Sequence, residues 1–527
     1  MSNVQLHTAK AGSASTTNGA FGVGEGSKAE ASDVALHDLK RKTARGALVS
    51  AGAQASTFVL RTGSLVVLAR LLLKEDFGLV NMVTAVTGFL GLLRYGLSMA
   101  TVQRMSISGA QTSTLFWINL AVGGVLALLA VITAPMLVAF YVEPRLFWVT
   151  VALGTILIFN GAAEQHRAML QRSMRFEALA VIDIASLLVS VAAGIGMAVA
   201  GHGYWALVAM TISQPVVNVV GVWLATGWIP AMPQRRSGIR SMVAYGGAVT
   251  LNNLIAYVAF NVDKVMIGRV WGAEALGIYG RAYQLINLPN ESLHSTIGSV
   301  AFPALSRVQN DPARLKAYFL KGYCVFLSLV LPITMGCALF ADDIVLVFLG
   351  PKWREAASIF RLLAPTILAF AFTNPFGWLM LASGRAGRCV RIAVVATPLL
   401  ILSYALGLKH GPQGVAVGFS IAMVLSIVPV MLWAKQGTLI TLRDILRAAT
   451  PGSMSTVLGV ASILAIRPIL GQVEPALVRL MAESTVLFGV YLLTLLFIMK
   501  QKSVYMGLLR EIGLWPVGSS RTAVEKV

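Results

Sequence analysis

The chain has 527 residues, of which 57% are hydrophobic and only 12% are charged. A soluble domain carries about 25% charged residues, and a water-facing surface cannot be built from so few. A soluble multidomain enzyme, a disordered chain and a disulfide scaffold are therefore excluded, and an all-α polytopic membrane protein is expected.

Residues 1–46 are rich in Gly, Ser, Ala and Thr and contain no signal-peptide apolar core. They predict a disordered cytoplasmic tail, with 33–45 as a short surface helix. Its basic end, Lys40, Arg41, Lys42 and Arg45, would hold the N-terminus inside. From 47 onward, apolar runs follow one another closely. A span needs about 20 residues, and fourteen are predicted: 47–73, 77–103, 114–140, 146–164, 178–200, 203–228, 241–268, 275–302, 317–340, 355–382, 388–408, 412–434, 446–468 and 476–499. The seventh, eighth and tenth carry polar residues, and twelve spans is the alternative count.

The net charge of +20 would suggest nucleic acid in a soluble protein. Here the basic residues lie in short loops, and they cluster after the even spans. Examples are Arg167, Arg172 and Arg175; Arg235, Arg236 and Arg240; and Arg385, Arg388 and Arg391. Cationic loops stay in the cytoplasm, so both termini are expected there, including the tail 500–527. The longest outer loop, about 341–354, is too short for a catalytic domain. Cys324, Cys337 and Cys389 read as small core hydrophobes. No Walker loop, GxGxxG or metal-spaced His/Cys set occurs, so no cofactor and no enzyme activity are expected.

An internal repeat organises the spans. ARLLLKEDFGLV (69–80) and GRVWGAEALGIY (268–279) share R-x4-E-x2-G, pairing Arg70 with Arg269, Glu75 with Glu274 and Gly78 with Gly277. FYVEP (140–144) echoes FLGP (348–351). Six spans separate the copies, so the halves share one orientation, as in parallel-repeat transporters. Two parallel six-helix bundles follow, 47–228 and 241–434, with helices thirteen and fourteen added at 446–499.

Polar residues recur with helical period on the first two spans of each half. They are Gln54, Thr57, Arg61 and Ser64; Thr84, Thr87, Gly91, Arg94 and Ser98; Asn253, Tyr257, Asn261 and Lys264; and Arg281, Gln284, Asn287, Asn290, Glu291, His294 and Ser295. An Arg at mid-bilayer costs at least ~2.5–3.5 kcal/mol, so these four spans are expected to line a water-filled cavity. Ion pairing of the arginines with Glu291 or Asp263 is the competing reading, but three arginines leave a positive surplus. Guanidinium suits phosphate, so Arg61, Arg94 and Arg281 are candidates for holding a diphosphate, and Arg361 is a weaker member. Asn253, Tyr257, Gln284 and Asn287 complete the polar lining, and Glu291 with His294 would couple transport to an ion. Asp263 and Lys264 read as a local pair, Asp183 as interfacial and Pro289 as a candidate hinge.

The segments VDKVMIGRVWGAEALGIYGRAYQLINLP (262–289), QHRAMLQRSMRFEALAVIDI (165–184), FLGPKWREAASIFRLLAP (348–365) and LMLASGRAGRCVRI (379–392) resemble the polysaccharide transporter family of the multidrug/oligosaccharidyl-lipid/polysaccharide exporter superfamily. The resemblance covers about 45–435. It implies a Wzx-type flippase of the bacterial inner membrane that moves polyprenyl-diphosphate-linked oligosaccharide repeat units to the outer leaflet for exopolysaccharide, capsule or lipopolysaccharide assembly, with the sugar against Asn253, Tyr257, Gln284 and Asn287. Partners implied are that lipid, the surrounding membrane lipid, and polymerase and export proteins of the pathway; no nucleic acid is expected. The alternatives are a multidrug or peptidoglycan-precursor exporter of the same superfamily, and a membrane glycosyltransferase or polymerase.

Overall fold

The computed structural model describes residues 52–103, 108–233, 253–502 and 505, without the side chains of 94–103, 292, 293, 295, 296, 299, 300 and 386. The expected tail 1–46 and most of 500–527 lie outside these residues. Among the described residues there are helices and turns and no β-strand. The helices are α1 (52–71), α2 (Lys74–Gln103), α3 (Gly109–Tyr141), α4 (Leu146–Arg172), α5 (Phe176–Val199), α6 (Trp205–Thr226) and α7 (253–259). They continue with α8 (Val262–Arg307), α9 (Pro312–Leu339), α10 (Ala341–Phe348), α11 (Arg354–Ala382), α12 (Ala386–Gly407), α13 (Gly411–Ala434), α14 (Leu442–Leu470) and α15 (Ala476–Leu493).

Ten helical stretches among the described residues are long and apolar enough to cross a membrane, one of them joining α12 and α13. The chain is a multi-pass membrane protein. The long α8 is not among the ten, because Arg, Asn, Glu and His interrupt its apolar run. Its backbone leaves helical geometry at Gly272, with φ 79° and ψ −175°. That break separates the expected seventh and eighth spans, and the helix then runs on through Pro289. The candidate hinge at Pro289 is therefore continuous helix, and the bend falls where a residue without Cβ tolerates positive φ.

Helix starts are set where apolar runs give way to polar turns. Ser108 accepts the Gln111 backbone N–H at 3.2 Å, while the Gln111 side chain accepts the Ser108 N–H at 3.1 Å. Thr441 and Asp444 make the same reciprocal cap on α14, and Asp311 caps α9 ahead of Pro312. Each such cap satisfies backbone donors that the first turn leaves free.

In packing, α3 lies on α4, α5 on α6, and both α2 and α6 on α4. In the second part, α8, α9 and α13 lie on α11, and α12 lies on α13. Helix α14 packs on α9 and α15. Helices α2 and α8 cross each other and join the two groups. At the crossing, a Cβ on Gly78 would overlap the Ala273 carbonyl oxygen, and one on Gly277 would overlap that of Lys74. The repeated glycines thus contact each other's turns reciprocally, as expected of two copies related by a two-fold axis. The second echo also has a backbone reason: Val142 and Gly350 both take positive φ, 58° and 94°.

Around this crossing the turns lock together. Lys352 Nζ donates to the Arg70 and Leu72 carbonyls at 2.9 and 2.6 Å. Trp353 Nε1 donates to Ala69 at 2.8 Å, with Phe77 edge-on to its ring at 5.5 Å. Lys74 pairs with Glu355 at 3.1 Å and Glu274 at 3.5 Å, and Arg145 bridges Glu75 and Glu143. This is the end expected to face outward, and these contacts tie its turns together.

Candidate functional site: a cationic cavity beside the helix crossing

Behind the crossing lies a cavity of about 560 Å³ between α1, α2, α5, α6, α7 and α8. Five of the expected binding residues line it: Arg61, Tyr257, Arg281, Gln284 and Asn287, and so does Glu291. Of the expected stripes, Arg61 and Ser64 of α1 and Thr84 of α2 share this space with the α8 residues, whereas Gln54 and Thr57 line a neighbouring chamber and Thr87 and Gly91 line neither. Asn253, one turn before Tyr257, is not among its lining residues. Arg94 lies on α2, but its side chain is outside the described residues. His294 turns away and stacks on Trp378 of α11, centroids 5.1 Å apart. It therefore does not share the cavity with Glu291, which corrects the expected Glu291–His294 couple.

The site's charge is uncompensated. Arg281 lies with its guanidinium 4.2 Å from the Phe77 ring centroid, and its Nε is buried without a partner in the protein. The Gln284 Oε1 is likewise buried and unpartnered. Neither Arg61 nor Arg281 forms an ion pair among the described residues. The two carboxylates proposed as their partners are engaged elsewhere. Asp263 accepts the Tyr279 hydroxyl at 2.7 Å, and Glu291 accepts from the Asn287 amide.

Lys264 is a further cation here. It was expected to pair with Asp263 but instead lines the cavity. Its Nζ donates to Asn261 Oδ1 at 2.7 Å and sits 4.6 Å from the Tyr283 ring centroid. The cavity thus gathers three cations against one carboxylate. Arg361 is not a member: it pairs with Asp342 at the expected outer end. Tyr257 braces the wall, its hydroxyl reaching the Thr84 and Ala85 carbonyls at 3.2 and 3.1 Å where Gly88 leaves room.

A second chamber, about 650 Å³, opens beside the first between α1, α4, α5 and α6. Arg61, Leu187, Thr211 and Gln214 belong to both walls. Within it, Arg167 meets Asp183 bidentately at 2.6 and 3.1 Å, and Asn218 donates to Asp183 at 3.1 Å. Arg167, expected in a loop, and Asp183, expected at the interface, are therefore partners across the α4–α5 turn.

The described residues thus form a multi-pass helical protein with a cationic cavity where two groups of helices meet. Residues 67–358 match the polysaccharide biosynthesis protein family, and the chain belongs to it. The lipopolysaccharide biosynthesis protein WzxC of Escherichia coli is 26% identical over 74% of this chain and 80% of its own. The teichuronic acid biosynthesis protein TuaB of Bacillus subtilis is 28% identical over 56% of this chain and 61% of its own. Among solved structures, the lipid II flippase MurJ in an inward closed conformation superposes with TM-score 0.70 at 13% identity, over 88% of this chain and 99% of that one. An inward-facing multidrug MATE transporter superposes with TM-score 0.57 at 14% identity, over 75% of this chain and 96% of that one. These likenesses define the fold.

Proposed function

We propose that this protein is a flippase that carries polyprenyl-diphosphate-linked oligosaccharide repeat units across the bacterial inner membrane for exopolysaccharide, capsule or lipopolysaccharide assembly. The observation that carries this reading is the set of Arg61, Lys264 and Arg281 around one cavity with a single carboxylate. In a confined space of low dielectric these cations attract an anion far more strongly than in water. Guanidinium groups meet phosphate oxygens bidentately, and the ammonium adds a point charge. A diphosphate would satisfy the buried Arg281 Nε. The names of WzxC and TuaB, a lipopolysaccharide and a teichuronic acid biosynthesis protein, agree with this cargo.

In this reading fourteen helices cross the membrane as two parallel six-helix bundles, 47–228 and 241–434, with 446–499 as an added pair. Both termini lie in the cytoplasm, and the prenyl tail stays in lipid at the gap between the halves. The cavity receives the headgroup from inside while the Gly78–Gly277 crossing and its ion pairs seal the outer end. Release requires that seam to part, so the headgroup must favour the outward form by differential contacts. Pathway polymerase and export proteins would receive the product. A multidrug role suits the site less, because cationic drugs would meet a basic wall.

The test has two arms. In cells lacking the protein, lipid-linked oligosaccharide should accumulate on the inner leaflet. Arg61→Ala, Lys264→Ala and Arg281→Ala should each reach the membrane and fail to restore export. Accumulation on the outer leaflet, or full export by all three variants, overturns the reading.

A further inference from the structure

The two halves carry a chamber at the same place, but the linings differ. The chamber between α1, α4, α5 and α6 contains Asn160, Glu164, Arg167, Asp183, Gln214 and Asn218. Its counterpart between α11, α12 and α13, about 1150 Å³, is walled mostly by Ile, Leu, Val, Ala and Phe. The register between them is fixed by two turns. Ser173-Met174-Arg175 and Ser383-Gly384-Arg385 both place a positive φ at the middle residue, 54° and 70°. In each, the arginine donates to a backbone carbonyl just beyond or at the end of the paired helix, Ala225 or Gln436. The His202-Gly203 and His410-Gly411 turns match similarly, with φ of 53° and 76° at the glycines.

Counting back from the first turn, Asn160 stands where the other half has Phe370, and Glu164 where it has Asn374. Counting forward from the second, Gln214 stands at Ala422 and Asn218 at Ser426. All four counterparts line the apolar chamber. At two of the four positions, Asn160 against Phe370 and Gln214 against Ala422, an amide stands where the other half is apolar; at the other two both halves are polar, with the larger group in the first.

Their chemistry differs from that of the central cavity. Apart from the shared Arg61, the first chamber sets Arg167 against Asp183 and Glu164, so it holds no positive surplus for a second phosphate. What it offers is a mixture of donors and acceptors: four amides, Gln54, Asn160, Gln214 and Asn218, beside a bidentate Arg–carboxylate pair to which Asn218 is itself joined. Hydroxyl groups, which also donate and accept, are the ligands such a wall suits. Arg61 belongs to both walls, so a headgroup bound there would place whatever follows it along this chamber.

We propose that the chamber between α1, α4, α5 and α6 is the sugar subsite, in which uncharged sugars next to the diphosphate bind Asn160, Gln214 and Asn218. This rests on the flippase reading and adds a division of labour to it: phosphate in the central cavity, sugar in the first half alone.

The test measures binding to the full-length protein in lipid nanodiscs with two probes. One is farnesyl diphosphate, which has a headgroup without sugar. The other is the lipid-linked oligosaccharide extracted from cells lacking the protein. The variant N160F/N218S gives the chamber the residues of the other half at two positions that line it alone. It should bind farnesyl diphosphate within about twofold of wild type and the lipid-linked oligosaccharide about tenfold more weakly, as expected when several hydrogen bonds are lost. Arg281→Ala should weaken both probes. Retained farnesyl diphosphate binding reports a folded variant; if the double variant does not assemble, Asn160→Ala carries the same comparison with about a threefold loss. Unchanged affinity of the chamber variant for the sugar-bearing lipid overturns the subsite. A wild-type protein that ignores farnesyl diphosphate, or a deletion strain without such a lipid, overturns the flippase reading instead.

Discussion

Arg281 is the residue where function and stability oppose each other most directly. Its Nε is buried without a partner and its guanidinium lies over Phe77. A desolvated cation without a carboxylate destabilises the fold that holds it. Arg281→Leu should therefore raise the thermal midpoint in detergent, by the equivalent of about 0.5–2 kcal/mol, while export is lost; a lower midpoint would count against an uncompensated charge. Arg281, Arg61 and Tyr257 were legible in the sequence because helical period places them on stripes that cannot face lipid. Lys264 was misread because Asp263 precedes it. Adjacent helical residues point some 100° apart and do not face each other, so Asp263 meets Tyr279 while Lys264 enters the cavity. His294 was misplaced for a related reason. One turn from Glu291 lies close to the same face, yet the remaining rotation was enough to carry it onto Trp378. The Arg167–Asp183 pair left no signal, since its members approach only through the packing of α4 against α5.

At the scale of elements, the α2–α8 crossing depends on absent side chains. Gly78→Ala and Gly277→Ala would each push a methyl into a carbonyl of the opposing turn. Each should cost about 1–3 kcal/mol by overpacking, read as a lower melting midpoint, whereas alanine at Gly63, with nothing near its Cβ direction, should leave the midpoint unchanged. The ion pairs around the crossing contribute less. Arg145 holds the Glu143 carboxyl below the usual carboxylate range, through its hydrogen bond and then its charge. A carboxyl lowered on folding stabilises above its unfolded value of about 4.3, and that contribution fades as pH falls through the folded value. Arg145 is 42% exposed, so screening keeps the effect within about 1 kcal/mol. Arg145→Ala should lower the midpoint slightly near neutral pH, with the difference from wild type shrinking as pH falls below about 4. The repeat that marks this seam was visible as R-x4-E-x2-G, but its reason was not. The motif records which residues meet their own counterparts across the crossing. Helix α10 was missed altogether: at eight residues it is too short to leave a span, and its segment reads as loop.

For the whole molecule, all-α architecture followed from composition, because only satisfied backbone survives in hydrocarbon. The repeat marked the residues that meet where α2 crosses α8. What the sequence hid was how differently the two copies line their equivalent chambers, since register between halves appears only once the turns at Met174 and Gly384 are aligned. Lipid-linked oligosaccharide is expected on the inner leaflet of cells without this protein, and the chamber variant should reproduce that phenotype while keeping headgroup binding. The crossing at Gly78 and Gly277 has one further consequence. Each copy touches the other's turn by the same contact, so the surface is self-complementary in the manner of an isologous dimer. Such a clasp recognises its partner without help from the peptide chain that links them. A gene severed within the connector between α6 and α7, expressed as two fragments together, should yield a reassembled and working transporter, and either fragment with its glycine replaced should not find its mate.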